Sequence, residues 1–125
     1  MFFFCLSVKA EQSTGNISTS QTGGRYEIVQ SPFLRKCLFK LDKYTGKVYQ
    51  YIIDSEKRGK WERVVVLLES EPKDKERINF QLFFGGIAAA DCFLLNIHTG
   101  ETYQLTKDKN DIFLFEFVET FDYFF

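Results

Sequence analysis

The sequence predicts an all-β protein of about eight antiparallel strands, in two four-stranded repeats that form a meander closing as a sandwich or a small barrel. Two observations support this prediction. The composition favours strands, with 15 Phe and 6 Tyr in a chain of 125 residues, a length that suits one domain. The chain also contains one β-hairpin pattern twice, and each copy turns on a Thr-Gly pair.

The duplication aligns residues 38–51 with residues 92–105 without a gap, at an offset of 54. Upstream, residues 25–28 match residues 77–80 if the second copy has two extra residues in its first loop. Downstream, each copy has a further apolar run, at 61–68 and at 112–118. We therefore predict four strands in each copy, with repeat 1 spanning 25–70 and repeat 2 spanning 77–119.

The repeated turn has the residues of a tight hairpin loop. Its first residue, an Asp or an Asn, can accept hydrogen bonds from backbone amides two or three residues later. Its glycine supplies the positive φ that a type I turn with a bulge requires, so we expect a β-branched replacement to be costly. The structural turn residues are Asp42, Thr45 and Gly46 in the first copy and Asn96, Thr99 and Gly100 in the second.

Alternation places Phe39 and Leu41 on one face of their strand, and it does the same for Phe93 and Leu95 in the second copy.

The N-terminal residues are typical of a targeting segment followed by a linker. Residues 2–8 form a short apolar run before the small-x-small sequence Val8–Ala10, so residues 1–10 are interpreted as a remnant of a signal peptide. Residues 11–24 contain a single aliphatic side chain, which predicts a flexible linker. The single β domain then spans 25–125, and the signal predicts a periplasmic or secreted bacterial protein.

Charge and cysteine content bound the partners. A net charge of −1 with interspersed Lys and Glu provides no electrostatic footprint for nucleic acid, and no apolar run is long enough for a transmembrane span. Cys37 and Cys92 would remain after signal cleavage and could pair, although two buried thiols are slightly favoured because their side chains should point to opposite faces. No cysteine spacing suggests a metal site.

The repeated hairpin resembles two groups of proteins. Residues 41–48, LDKYTGKV, resemble the LDxxTGxxxW signature of quinoprotein-type propeller blades, although the chain continues with Tyr49-Gln50 and has no Trp there, and two blades cannot close a propeller. The pattern from Gly24 through the FxLDxxTGxVY hairpin resembles a group of small exported bacterial proteins that are uncharacterised. That resemblance covers most of 25–118 and implies no activity and no cofactor.

No catalytic, cofactor-binding or metal-binding constellation emerges from the residues, so we predict a protein that is not an enzyme. His98 is the only histidine, and one histidine provides neither a metal site nor an oriented general base. The carboxylates of 69–76 lie in a Lys-rich connection, and 108–111 lacks the spacing and glycine of an EF-hand. Gly85-Gly86 lacks the Lys and the strand–loop–helix context of a phosphate loop.

Aromatic side chains are the remaining candidates for binding. Five of them could line a ligand groove, but they suit a core or cross-strand pairs better, because Tyr49 and Tyr103 occupy equivalent repeat positions. The C-terminus alternates aromatic residues and could cover a sheet edge or form a homo-oligomer contact. The candidate groove residues are Tyr26, Tyr44, Tyr49, Tyr51 and Trp61, and the candidate interaction surface is Phe121, Tyr123, Phe124 and Phe125.

Two classes of function follow. The first is a non-enzymatic exported module that binds an unknown protein or a cell-envelope component, or has a structural role there. The alternative is a carrier of small apolar ligands with a cavity inside the barrel, which would require an enclosed apolar space.

Overall fold

The computed structural model describes residues 23–30, 38–67, 71–85 and 91–122, and it confirms an all-β protein of eight strands. The strands are β1 (Tyr26–Gln30), β2 (Leu38–Asp42), β3 (Val48–Ile53), β4 (Gly59–Val66), β5 (Phe80–Gly85), β6 (Asp91–Asn96), β7 (Thr102–Lys107) and β8 (Phe113–Val118). None of the residues in these ranges belongs to a helix that could span a membrane. The eight strands form one sheet, which curls into a nearly closed barrel.

The strand order is β1-β2-β3-β4-β8-β7-β6-β5, which departs from a continuous meander. Each half is an antiparallel meander, but β4 pairs with β8 in parallel, through Val65 with Leu114 and Val66 with Phe115. The amide of Leu67 also donates to the Phe115 carbonyl at 2.8 Å. The sheet is therefore mixed, and the two repeats meet along their last strands.

The sheet register relates the two repeats by one constant offset. Tyr26 pairs with Asp42, and Phe80, which lies 54 residues after Tyr26, pairs with Asn96. The first strands therefore align without the two-residue insertion that sequence comparison requires. Asp54 and Asp108 are also counterparts, since each side chain accepts two amides in its own hairpin loop.

The parallel pairing makes equivalent positions of the two repeats face opposite sides of the sheet. From the β4–β8 pair, the two meanders extend in opposite directions across the sheet. A hairpin of L-residues has a fixed hand and cannot be superimposed on its mirror image. Two copies that extend in opposite directions from parallel strands must therefore present opposite faces to the barrel interior.

Burial follows this exchange of faces. Phe39 and Leu41 in β2 are fully buried, whereas their counterparts Phe93 and Leu95 in β6 are partly exposed. In β6 the alternate position Leu94 is buried instead, at 1% exposure. The shared face within each pair is as predicted, but the two pairs lie on opposite sides of the sheet.

The aromatic residues after the turn are exchanged in the same way. Tyr103 is buried in the core, while Tyr49 lies on the outer face and is partly exposed. Tyr103 also makes an edge-to-face contact with Phe117, at 5.6 Å between ring centroids. The equivalence of the two tyrosines in sequence therefore does not give them equivalent environments.

Large side chains fill the described inner face. Phe39 stacks on Phe84 at 6.1 Å and meets Phe113 edge-on at 6.4 Å, which ties β2 to β5 and β8 across the barrel. Each fully buried Phe or Leu contributes about 1.5–3 kcal/mol relative to its exposed state. The buried hydrophobic cluster consists of Phe39, Leu41, Val48, Val64, Val66, Phe80, Cys92, Leu94, Tyr103 and Phe115.

The exchange of faces predicts unequal costs for the same truncation at equivalent positions. Leu41→Ala leaves a cavity in the core and should lower the free energy of unfolding by about 2–5 kcal/mol. Leu95→Ala removes a partly exposed side chain and should cost less than about 1 kcal/mol. Urea unfolding of the two variants checks this, and equal losses would contradict the exchange.

Candidate functional site

The first Thr-Gly turn is closed by backbone and side-chain hydrogen bonds around Asp42. The Asp42 amide donates to the Lys47 carbonyl at 2.9 Å, and the Gly46 amide donates to the Asp42 carbonyl at 2.8 Å. The Asp42 carboxylate accepts the Tyr44 amide at 3.0 Å. Gly46 has a φ of +83°, in the left-handed region that glycine adopts most readily.

Arg25 anchors the same carboxylate from the segment before β1. Its Nε and Nη2 both donate to Asp42, each at 2.9 Å, in a bidentate pair. Burial favours the neutral acid, but hydrogen bonds from Arg25, Thr45 and the Tyr44 amide together outweigh it and hold the pKa of Asp42 below its ordinary value of 3.8. Because the folded pKa is lowered, the stability that this pair contributes is present above the ordinary value and is lost as the pH falls through the folded pKa.

The first turn also makes hydrogen bonds to the start of β5, and these bonds connect the two repeats. The Lys43 carbonyl accepts the amides of Asn79 at 2.8 Å and Phe80 at 3.0 Å. The Asn79 side-chain amide donates to the Tyr44 carbonyl at 2.8 Å, and Asn79 is 2% exposed. The Phe80 ring lies against Gly46, where a Cβ would come within 2.9 Å of it. Asn79 and Phe80 are thus bound by two carbonyls and an aromatic contact.

The second Thr-Gly turn has nearly the same backbone. The Asn96 amide donates to the Glu101 carbonyl at 2.8 Å, and the Gly100 amide donates to the Asn96 carbonyl at 2.9 Å. The Asn96 side-chain oxygen accepts the amides of His98 and Thr99 at 2.9 and 3.1 Å. Gly100 has a φ of +82°, within a degree of its counterpart.

The second turn differs because nothing in the described residues occupies the place that Phe80 fills in the first. A Cβ on Gly100 would meet no atom within 4 Å. The carbonyls of Ile97 and His98, counterparts of the two acceptors in the first turn, accept no hydrogen bond from any described residue. Ile97 is 43% exposed.

The exchange of faces explains why this place is open. Gly46 lies two residues before Val48, which faces the core, and Gly100 lies two residues before Thr102, which faces outward. Around the first turn, the cluster that includes Phe80 is buried. The counterparts of Leu41, Val48 and Val64 form an outer shelf in repeat 2 and are all partly exposed; they are Leu95, Thr102 and Val118.

An open groove of about 520 Å³ also lies against the second turn. Its apolar walls are Phe117 and Phe121, which are 36% and 67% exposed. Two carboxylates, of Glu101 and Glu119, line it as well, and its lining contains no cation. The remaining lining residues are Thr99, Gly100 and Thr120.

A second candidate surface lies on the outer face of β2–β4. The Lys40 ammonium is 5.2 Å from the Tyr49 ring centroid and 5.0 Å from that of Trp61. Tyr51 meets Trp61 edge-on at 5.4 Å and covers Gly59, where a Cβ would fall 1.9 Å from the Tyr51 hydroxyl. These side chains pack against one another on the sheet, as cross-strand pairs do.

The other sequence candidates have varied positions. Phe121 lines the groove, whereas Tyr123, Phe124 and Phe125 lie outside the described residues, as does Cys37. Cys92 is buried at 1% exposure. The His98 Nε2 lies 2.9 Å from the Ile78 carbonyl, which ties the second turn to the segment before β5. No group of three or more metal-ligating side chains occurs within the described ranges.

Sequence reasoning did not find the role of Asn79. Its side-chain amide donates across 35 residues to Tyr44, and also to the carbonyls of Asp74 and Arg77. Such contacts depend on how the two repeats close on each other, and the repeat pattern contains no sign of them.

No known family model, curated protein or solved structure matches the chain. The two Thr-Gly turns share a backbone and differ in what packs against them.

Substitution by Asn should lower the free energy of unfolding by different amounts at the two glycines. Asn tolerates the left-handed region better than other side chains do, so backbone strain is small at both positions. Gly100→Asn points into open space and should cost less than about 1 kcal/mol. Gly46→Asn collides with the Phe80 ring and inserts an amide into the core, so it should cost at least about 2 kcal/mol. Thermal and urea unfolding check this, and equal costs would refute the open site at Gly100.

Proposed function

We propose that this protein is a non-enzymatic, exported binding module of the bacterial cell envelope, and that it holds a partner protein at its second Thr-Gly turn. One observation carries the proposal. The second turn reproduces the backbone of the first, which binds Asn79 and Phe80 of this chain, and no described residue occupies the equivalent place at the second turn. Export and the envelope location rest on the N-terminal sequence pattern.

The surroundings of the second turn suit a protein partner. The outer shelf consists of the side chains of Leu95, Thr102 and Val118. On the neighbouring strand, Phe83 pairs with Phe93 and is 53% exposed. Exposed apolar side chains gathered around one place are typical of interaction sites. The groove beside the turn adds two carboxylates, of Glu101 and Glu119, to these surroundings.

The carrier of small apolar ligands is less well supported. In the described part of the barrel, rings from β2, β5 and β8 pack against one another across the interior. An internal ligand would have to displace these side chains, whereas no described atom lies within 4 Å of a Cβ placed on Gly100.

Capture from the periplasmic or secreted fraction tests the proposal when it uses matched variants. Leu95→Glu places a charge on the outer shelf and should abolish capture of any partner, because a carboxylate would be desolvated at the contact. Ile53→Glu places the same charge at a side chain that is 64% exposed and away from the second turn, and it should leave capture unchanged.

Circular dichroism melting curves should show that both variants remain folded. The proposal would be contradicted if both variants lost capture equally, if both kept it, or if the unsubstituted protein captured no partner.

A further inference from the structure

We infer that the second turn binds a segment of the partner in which an aromatic residue directly follows an Asn. This inference rests on the proposed function and deepens it, because it specifies the chemistry of the partner. It is read from the first turn, where Asn79 and Phe80 make the contacts that the second turn leaves open.

Two consecutive backbone amides are the first element of recognition. At the first turn, the amides of Asn79 and Phe80 converge on the single carbonyl of Lys43, at 2.8 and 3.0 Å. Ile97 presents the counterpart carbonyl, and the His98 amide of the same peptide unit donates to the Asn96 side-chain oxygen at 2.9 Å, which fixes the direction of the carbonyl. Successive amides of a fully extended strand point to opposite sides, so a shared acceptor requires a local bend at the Asn, as in a β-bulge, and is independent of side chains.

The Asn side chain is the second element. At the first turn it donates to the Tyr44 carbonyl, one residue beyond the double acceptor. The counterpart carbonyl belongs to His98, and the Thr99 amide of the same peptide unit donates to the Asn96 side-chain oxygen at 3.1 Å. The acceptor is therefore positioned before any ligand arrives, which lowers the entropic cost of binding.

The aromatic ring is the third element. Phe80 contacts Gly46 so closely that no other residue would fit, and the same open face exists at Gly100. A ring placed there would rest on the outer shelf, as Phe80 rests among the counterparts of these residues in the core. Thr102 replaces Val48 on the shelf, so the site presents a methyl group and a hydroxyl to the ring, as suits a surface that is exposed when empty.

The charge of the groove determines which residues are favoured beside the Asn-aromatic pair of the ligand. Glu101 and Glu119 line the groove beside the turn, and the Glu119 carboxylate has no ion pair or hydrogen bond with any described residue. A ligand with Lys or Arg two residues before its Asn would bring a cation toward these carboxylates. An acidic ligand would be repelled.

The test uses the full chain and a peptide that copies residues 77–82, acetyl-Arg-Ile-Asn-Phe-Gln-Leu-amide. Titration of the ¹⁵N-labelled protein should shift the amide signals of residues 95–102 and of Val118, and leave those of 42–47 unchanged. A peptide with Ala in place of Phe should bind at least about tenfold more weakly, because it loses the burial of one ring. A peptide with Glu in place of Arg should also bind more weakly.

Gly100→Asn is the blocking variant, because it keeps the turn conformation and fills the open place. It should abolish the peptide-induced shifts, while Ile53→Glu should bind the peptide as the unsubstituted protein does. Melting curves of both variants exclude unfolding as the cause of any loss.

The outcomes separate this inference from the proposed function. If the peptide fails to bind, binds at the first turn, or binds equally well without its ring, the inference is overturned. Should capture still depend on Leu95 in that case, the proposed function stands and the partner has another chemistry. Concentration-dependent self-association that Gly100→Asn removes, without peptide binding, would overturn the inference in favour of a second copy as the occupant.

Discussion

The parallel pairing of β4 with β8 is the constraint on which the rest of this structure depends. Two copies of a four-stranded meander are joined along equivalent strands that run in the same direction. Because each meander has a fixed hand, the copies turn opposite faces to the barrel interior. This single geometric fact decides which side chains form the core, how the barrel closes and why one turn is covered while the other is open.

The sequences of the two repeats have diverged in a way that suits the exchange. Lys40 lies outside and its counterpart Leu94 lies in the core, while Val48 lies in the core and its counterpart Thr102 lies outside. The turn residues follow the same logic. Asp42 is paired with Arg25, but Asn79 occupies the position equivalent to Arg25, so a neutral Asn96 avoids a carboxylate without a cation.

Much of the fold could be predicted from the sequence, because strands and hairpins are encoded locally. Alternation, β-branched and aromatic residues, and turn residues indicated eight strands, and the repeat located equivalent hairpins. The β4–β8 pairing could not be predicted, because it joins segments about fifty residues apart and leaves no local pattern. The candidate site was missed for the same reason. The Thr-Gly pair has identical turn chemistry in both copies, and only tertiary packing shows that Phe80 covers Gly46 and that no described residue covers Gly100.

The pairing of β4 with β8 is most directly tested by nuclear Overhauser effects in a ¹⁵N-edited spectrum of the full chain. The structure predicts amide-to-α-proton contacts in the parallel pattern between residues 65–67 and residues 114–115, with the Leu67 amide close to Phe115. Contacts in the antiparallel pattern between β4 and β5, as in a continuous meander, would contradict the exchange of faces and the open second turn that follows from it.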